Sequence, residues 1–146
     1  LWDKDLTSKI LVDEAPQSQE QQVTVQAEEV LLYSLLSNIL INAIEASPEG
    51  EEIVINLHNS DPAMLCVCNT GTVPYALREH FFEKYRTWGK ALGTGLGTYS
   101  AYLMAQAMNL EIQMQTSDEE NTTCITLIMP THSVYDAEKR PDFPDV

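Results

Sequence analysis

Asn38 and Asn42 stand one helical turn apart in a long apolar stretch, and Glu45 continues their face at i+7 from Asn38. An amide oxygen can ligate Mg²⁺ while waters and phosphate oxygens complete the octahedron, which suits a metal brought in by a nucleotide. A helix face turned to solvent, or one capping a nearby loop, would carry the same stripe. Further along, Gly93, Gly95 and Gly97 alternate with Thr94 and Leu96 just before a second helix-like segment. Their backbone N–H groups and that helix's N-terminus can face an anion, and glycine lets the chain approach phosphate oxygens closely. A plain flexible turn has the same composition. The spacing excludes the P-loop, which ends in Gly-Lys-Ser or Gly-Lys-Thr, and the dinucleotide fingerprint would need a strand immediately before it.

The elements that must position these residues follow from periodicity. From Glu28 to Ser47, apolar residues such as Leu31, Leu35, Ile39 and Ala43 recur at helical spacing, and Pro48 and Gly50 close the run. Before it lie an apolar run, Ile10-Leu11-Val12, a polar stretch from Gln17 to Gln22 that reads as a hairpin loop or connection, and Val23-Thr24-Val25, which reads as a strand. Glu52 to Asn59 alternates with Ile53, Ile55 and Leu57 inward, and Met64 to Cys68 is its hairpin partner through Asn59-Ser60-Asp61-Pro62. Thr72 to Thr94 has no clean period apart from a short helix around Ala76 to Phe82, and a loop of that length inside a small domain is usually functional. Thr98 to Met108 is helical with Asn109 as its stop; Leu110 to Gln115 and Thr123 to Met129 form a final hairpin. Strands, helix, strands, loop, helix, strands make an α+β fold, a two-layer α/β sandwich with a mixed β-sheet packed on helices.

The 146 residues fit one domain, divided as an N-terminal connection and first strand (1–20), the sandwich (21–131) and a tail or linker (132–146). Hydrophobic residues at 44% and charged residues at 21% give the balance of a globular protein. A net charge of −14 argues against nucleic acid, whose binding draws on clustered Lys and Arg. Four of the eight basic residues nevertheless fall together, Arg78, Lys84, Arg86 and Lys90, where a small anion could be met. Cys66 and Cys68 would share one face of a strand, and with an odd cysteine count and no paired zinc spacing they read as small core residues in a reduced setting. The apolar stretch from Val30 to Ala46 is interrupted by Ser34, Ser37, Asn38, Asn42 and Glu45, so no membrane insertion is expected and a cytoplasmic location is.

Four motifs carry a resemblance. Asn38-Ile39-Leu40-Ile41-Asn42-Ala43-Ile44-Glu45-Ala46, then Asn69-Thr70-Gly71, then Phe81-Phe82-Glu83-Lys84-Tyr85, then Gly93-Thr94-Gly95-Leu96-Gly97 resemble the N box, first glycine box, F box and second glycine box of the ATP-binding catalytic domain of sensor histidine kinases, of the Bergerat type. The resemblance runs over about residues 20 to 130, with the boxes in the family's order.

It implies ATP and Mg²⁺ as ligands, with Asn42 on the metal and Asn38 on phosphate or the same metal. Asn69 stands where the family has an Asp that accepts from the adenine amine; its amide oxygen can still accept, without charge. Gly71 would let the backbone pass the base, while the family's second glycine in that box is replaced by Thr72-Val73-Pro74. The aperiodic segment corresponds to the family's ATP lid, which makes Lys84, Tyr85, Arg86 and Lys90 nucleotide contacts or, for Tyr85 and Phe82, lid anchors. Gly93, Gly95, Leu96, Gly97 and Thr98 would surround the phosphates.

Related gyrase-like and chaperone ATPases carry a Glu, where this chain has Asn38, to activate water. An amide cannot take that proton, so transfer to a protein side chain is favoured over hydrolysis. In the kinases the accepting histidine precedes an acidic residue on a separate dimerisation hairpin. His58, His80 and His132 precede Asn59, Phe81 and Ser133, so the acceptor is expected outside this chain. The implied partners are that dimerisation domain and, indirectly, a response regulator. The alternative is a degenerate, non-catalytic module of the same fold that binds nucleotide or protein.

Overall fold

The computed structural model describes residues 5–16, 22–84 and 97–131. Their strands are β1 (Thr7–Val12), β2 (Ala15–Pro16), β3 (Glu52–His58), β4 (Ala63–Thr70), β5 (Glu111–Ser117) and β6 (Thr122–Met129), with helices α1 (Glu29–Ala46) and α2 (Gly97–Ala107). They form a sheet in the order β2-β1-β3-β4-β6-β5. β1 runs parallel to β3 and every other neighbouring pair is antiparallel, so the sheet is mixed. The expected α+β sandwich is what the chain forms.

α1 begins where Glu28 caps it, its carboxylate accepting from the Val30 and Leu31 N–H groups at 3.3 and 2.7 Å. It ends where the Ser47 hydroxyl donates to the Ala43 carbonyl at 2.7 Å and Pro48 follows. Leu35, Ile39 and Ala43 are buried at helical spacing, and Asn42 is buried beside them. By length and composition α1 would also pass as a membrane span, with a mean hydropathy of 1.3, but here it packs on α2 and β4 as the core helix. α2 stops as expected at Asn109, which takes φ 54° while Leu110 N–H reaches back to the Ala105 carbonyl and Asn109 N–H to that of Gln106. This is a Schellman motif with Asn in the left-handed position.

On the sheet, the inward faces of β4 and β6 alternate as the sequence requires. Ala63 and Val67 on β4, and Ile125, Leu127 and Met129 on β6, are buried against the helices. The short helix near Ala76 is a 3-10 segment, Tyr75–His80, followed by Phe81, which is 2% exposed and part of the core. Phe82 packs edge-on to Phe81 at 4.9 Å and stacks on Tyr102 of α2 at 5.8 Å, so it ties the residues after the 3-10 segment to α2.

Two expectations are corrected. Val23-Thr24-Val25 forms no strand; the segment is tied down by Gln26 N–H to the Pro130 carbonyl at 2.9 Å, with Val25 packed on the core. Local β-propensity makes a strand only where a sheet edge offers a continuous ladder. Cys66 and Cys68 do share a face, but it is the face away from the helices, and Cys68 is disulfide-bonded to Cys124. The β4–β6 register sets these two residues directly opposite, with Cα atoms 4.1 Å apart, a pairing that no local spacing reveals. Cys66 is the free cysteine, its sulfur 3.5 Å from the Thr126 hydroxyl.

Candidate nucleotide site

A cleft of about 110 Å³ opens where the C-terminal half of α1 meets the ends of β4 and β6, lined by Asn42, Glu45, Ala46, Asn69, Gly71, Thr72 and Thr123. Three elements meet here for separate reasons. Asn42 is placed by the helical period that buries Leu35 and Ile39, so the apolar face of α1 carries one amide inward, 3% exposed. Asn69 continues the inward face of β4 after Ala63 and Val67, and Thr123 begins the inward face of β6 before Ile125. The register makes Asn69 and Thr123 direct cross-strand partners, 6% and 4% exposed.

Hydrogen bonds orient the two strand side chains. Asn69 donates from Nδ2 to the Thr70 carbonyl at 3.0 Å, which leaves Oδ1 as the acceptor of this cleft-lining side chain. Thr123 donates to the Gly71 carbonyl at 2.8 Å. Gly71 has φ +111°, a left-handed conformation that L side chains rarely adopt, and its N–H donates to the Asn121 carbonyl at 2.8 Å. A polar floor, an open-backbone glycine and a buried helix amide therefore share one opening.

The other residues singled out in the sequence are distributed more widely. Asn38 is only half-buried on α1 and does not line the cleft. Gly97 is the exposed first residue of α2. Thr98, in the first turn of α2, is buried, and its hydroxyl donates to the Phe81 carbonyl at 3.0 Å, joining the helix start to the F box motif. Lys84 is exposed. Tyr85, Arg86, Lys90, Gly93, Gly95 and Leu96 lie outside the described residues. Arg78, counted with the basic cluster, instead binds the Val73 carbonyl at 2.9 Å and Asp118 at 2.6 Å, fastening the 3-10 segment to the β5–β6 turn.

Thr123 and Thr72 were missed by reasoning from sequence. A signal existed for Thr123: it is a hydroxyl at the head of an inward face that otherwise reads Ile125, Leu127, Met129. Asn69 breaks the apolar inward face of β4 in the same way. Among the described residues no group of three or more His, Cys, Asp or Glu could hold a metal. A metal here would take Asn42 from the chain and its remaining ligands from phosphate and water, and a single buried amide at the cleft wall fits that donor set.

The geometry agrees with the comparisons to known proteins. Residues 27–133 match the family described as histidine kinase-, DNA gyrase B-, and HSP90-like ATPase. No curated protein sequence matches the chain. Among solved structures, a mycobacterial sensor histidine kinase, MprB, is similar at 22% identity and a TM-score of 0.68, over 86% of this chain and 82% of that one. The catalytic domain of histidine kinase ThkA, in a nucleotide-free form, is similar at 24% identity and 0.70, over 87% of this chain and 80% of that one. Full-length ShkA, solved with AMPPNP, aligns at 18% identity and 0.65 over 89% of this chain but only 26% of its own length. At these identities the likeness is one of fold.

Proposed function

Because the chain belongs to the histidine kinase-, DNA gyrase B-, and HSP90-like ATPase family, we propose that it is the catalytic domain of a sensor histidine kinase, binding Mg·ATP and donating the γ-phosphoryl group to a histidine on a dimerisation domain. The observation that carries this reading is the meeting of Asn42, Asn69, Gly71 and Thr123 in one cleft.

The base would sit against the strand ends. Asn69 Oδ1 accepts from an exocyclic amine there, and Gly71, having no side chain, lets the ring pass close to the backbone. The phosphates would run along α1 toward Asn42 and Asn38. Asn42 would hold Mg²⁺, which would supply positive charge against the phosphates. Lys84, Arg86, Lys90 and the glycines at 93, 95 and 97 would supply the contacts to the triphosphate, as basic and glycine-rich chemistry suits.

Asn38 separates transfer from hydrolysis. Its amide can donate to phosphate or hold a water, but it cannot remove a proton from that water, so the domain supplies position and charge neutralisation rather than a hydrolytic base. The non-catalytic alternative draws on the uncharged Asn69 and the Thr72-Val73-Pro74 sequence, and it predicts binding without transfer.

Incubating the protein with a dimerisation domain that bears an acceptor histidine and with γ-labelled Mg·ATP tests the reading. Acid-labile, base-stable label on that domain, with little free phosphate released by the chain alone, is the expected result. Steady phosphate release that is lost on Asn38→Ala would point to a hydrolase, and nucleotide binding without any transfer would point to the non-catalytic module.

A further inference from the structure

Three residues after Asn69 replace the familiar second glycine with Thr72-Val73-Pro74, and the turn they form is held by a continuous chain of hydrogen bonds. Val73 N–H donates to the Thr116 hydroxyl on β5 at 3.1 Å. The Thr116 and Thr123 hydroxyls are 3.1 Å apart. Thr123 donates to the Gly71 carbonyl at 2.8 Å. The chain thus starts on the amide of Val73 and ends on the carbonyl of Gly71, bracketing Thr72.

Proton counting fixes its direction. A threonine hydroxyl has one proton. With Thr123 donating to Gly71, its contact with Thr116 must be as acceptor, so the Thr116 proton lies between Thr123 Oγ1 and the Thr122 carbonyl, which is 3.2 Å away. Thr123 keeps one lone pair, and Asn69 keeps Oδ1, because its amide nitrogen is on the Thr70 carbonyl. The floor of the cleft therefore presents two acceptors, Thr123 Oγ1 and Asn69 Oδ1, beside the second Nδ2 proton of Asn69. Thr116 does not line the cleft and would act only through Thr123 and Val73.

We propose that Thr116 is a positioning residue that fixes the polarity of Thr123 and the shape of the Gly71–Val73 turn, and so sets the preference of the site for a purine with an amino group at C6 over one with an oxygen there. The proposal rests on the nucleotide-binding reading above. An acceptor floor satisfies the amine of ATP. Against the carbonyl at C6 of ITP it leaves acceptor facing acceptor, the kind of mismatch by which a polar site rejects an analogue.

The test is calorimetric titration of the protein and of Thr116→Val and Thr116→Ser with Mg·ATP and Mg·ITP, alongside the thermal midpoint of each unliganded protein. Valine keeps the shape and removes the hydroxyl; serine keeps the hydroxyl. Thr116→Val is expected to weaken ATP binding roughly five-fold and to reduce the ATP-to-ITP preference by a similar factor, and Thr116→Ser to restore both. An unchanged preference in Thr116→Val, or equal weakening of both nucleotides with a lowered thermal midpoint, would overturn the proposal and leave the nucleotide site standing. Failure of the original protein to bind either nucleotide would overturn both.

Discussion

Asn69 on β4 and Thr123 on β6 are direct cross-strand partners whose side chains both occupy the helix-facing side of the sheet, where their strand neighbours Val67 and Ile125 are core residues. Two polar residues side by side at the end of an apolar face are expensive to bury unless they have partners, and each makes a hydrogen bond to backbone, Asn69 to the last residue of β4 and Thr123 to Gly71 just after it. With Asn42 opposite on α1, they turn the end of the core into a polar cleft.

Asn69 has a direct test. Asn69→Ala removes the acceptor proposed for the adenine amine and should weaken ATP binding by about ten-fold. Asn69→Asp restores the carboxylate usual in this class of site and should tighten it, since a charged acceptor makes the stronger hydrogen bond. Calorimetry on the two variants decides the point; equal affinities for both would remove Asn69 from the base-binding role.

Gly71 should tolerate no side chain without backbone strain. A Cβ there would lie 3.7 Å from the Ala46 carbonyl, an ordinary contact, so the penalty comes from φ +111° rather than from a clash. Gly71→Ala should lower stability by about 1–3 kcal/mol and weaken ATP binding with it. A urea midpoint equal to that of the original protein would mean that the turn readily adopts another conformation.

The disulfide makes a chemical prediction as well as a thermodynamic one. Unfolded without reductant, the protein should expose a single reactive thiol, that of Cys66. Replacing Cys68 and Cys124 together by Ala opens a link between residues 56 apart in sequence and should cost about 2–4 kcal/mol in denaturant unfolding. Three reactive thiols would show that the β4–β6 pair is held without the covalent bond.

What the sequence made legible was set by local rules. The period of Leu35, Ile39 and Ala43 placed α1 and buried Asn42; strict alternation placed β3, β5 and β6; and Asn109 stopped α2 because Asn accepts a left-handed conformation. The family boxes identified Asn42, Asn69 and Gly71, which the fold brings to one cleft. Features that depend on register were not legible. The pairing of Cys68 with Cys124, the placing of Thr123 opposite Asn69, and the use of Arg78 on Asp118 all join residues far apart in the chain. Val23 to Val25 failed for the opposite reason: the alternation was present and the strand partner was not.

On the proposed reading, α1 contributes Asn42 to a Mg·ATP site. The most direct test of that role is calorimetric titration with ATP, in Mg²⁺ and in EDTA, of the original protein and of Asn42→Ala. The original protein should bind more tightly with Mg²⁺ than without, and Asn42→Ala should lose that difference while keeping its fold by circular dichroism. Undiminished Mg²⁺ dependence in Asn42→Ala would contradict the account.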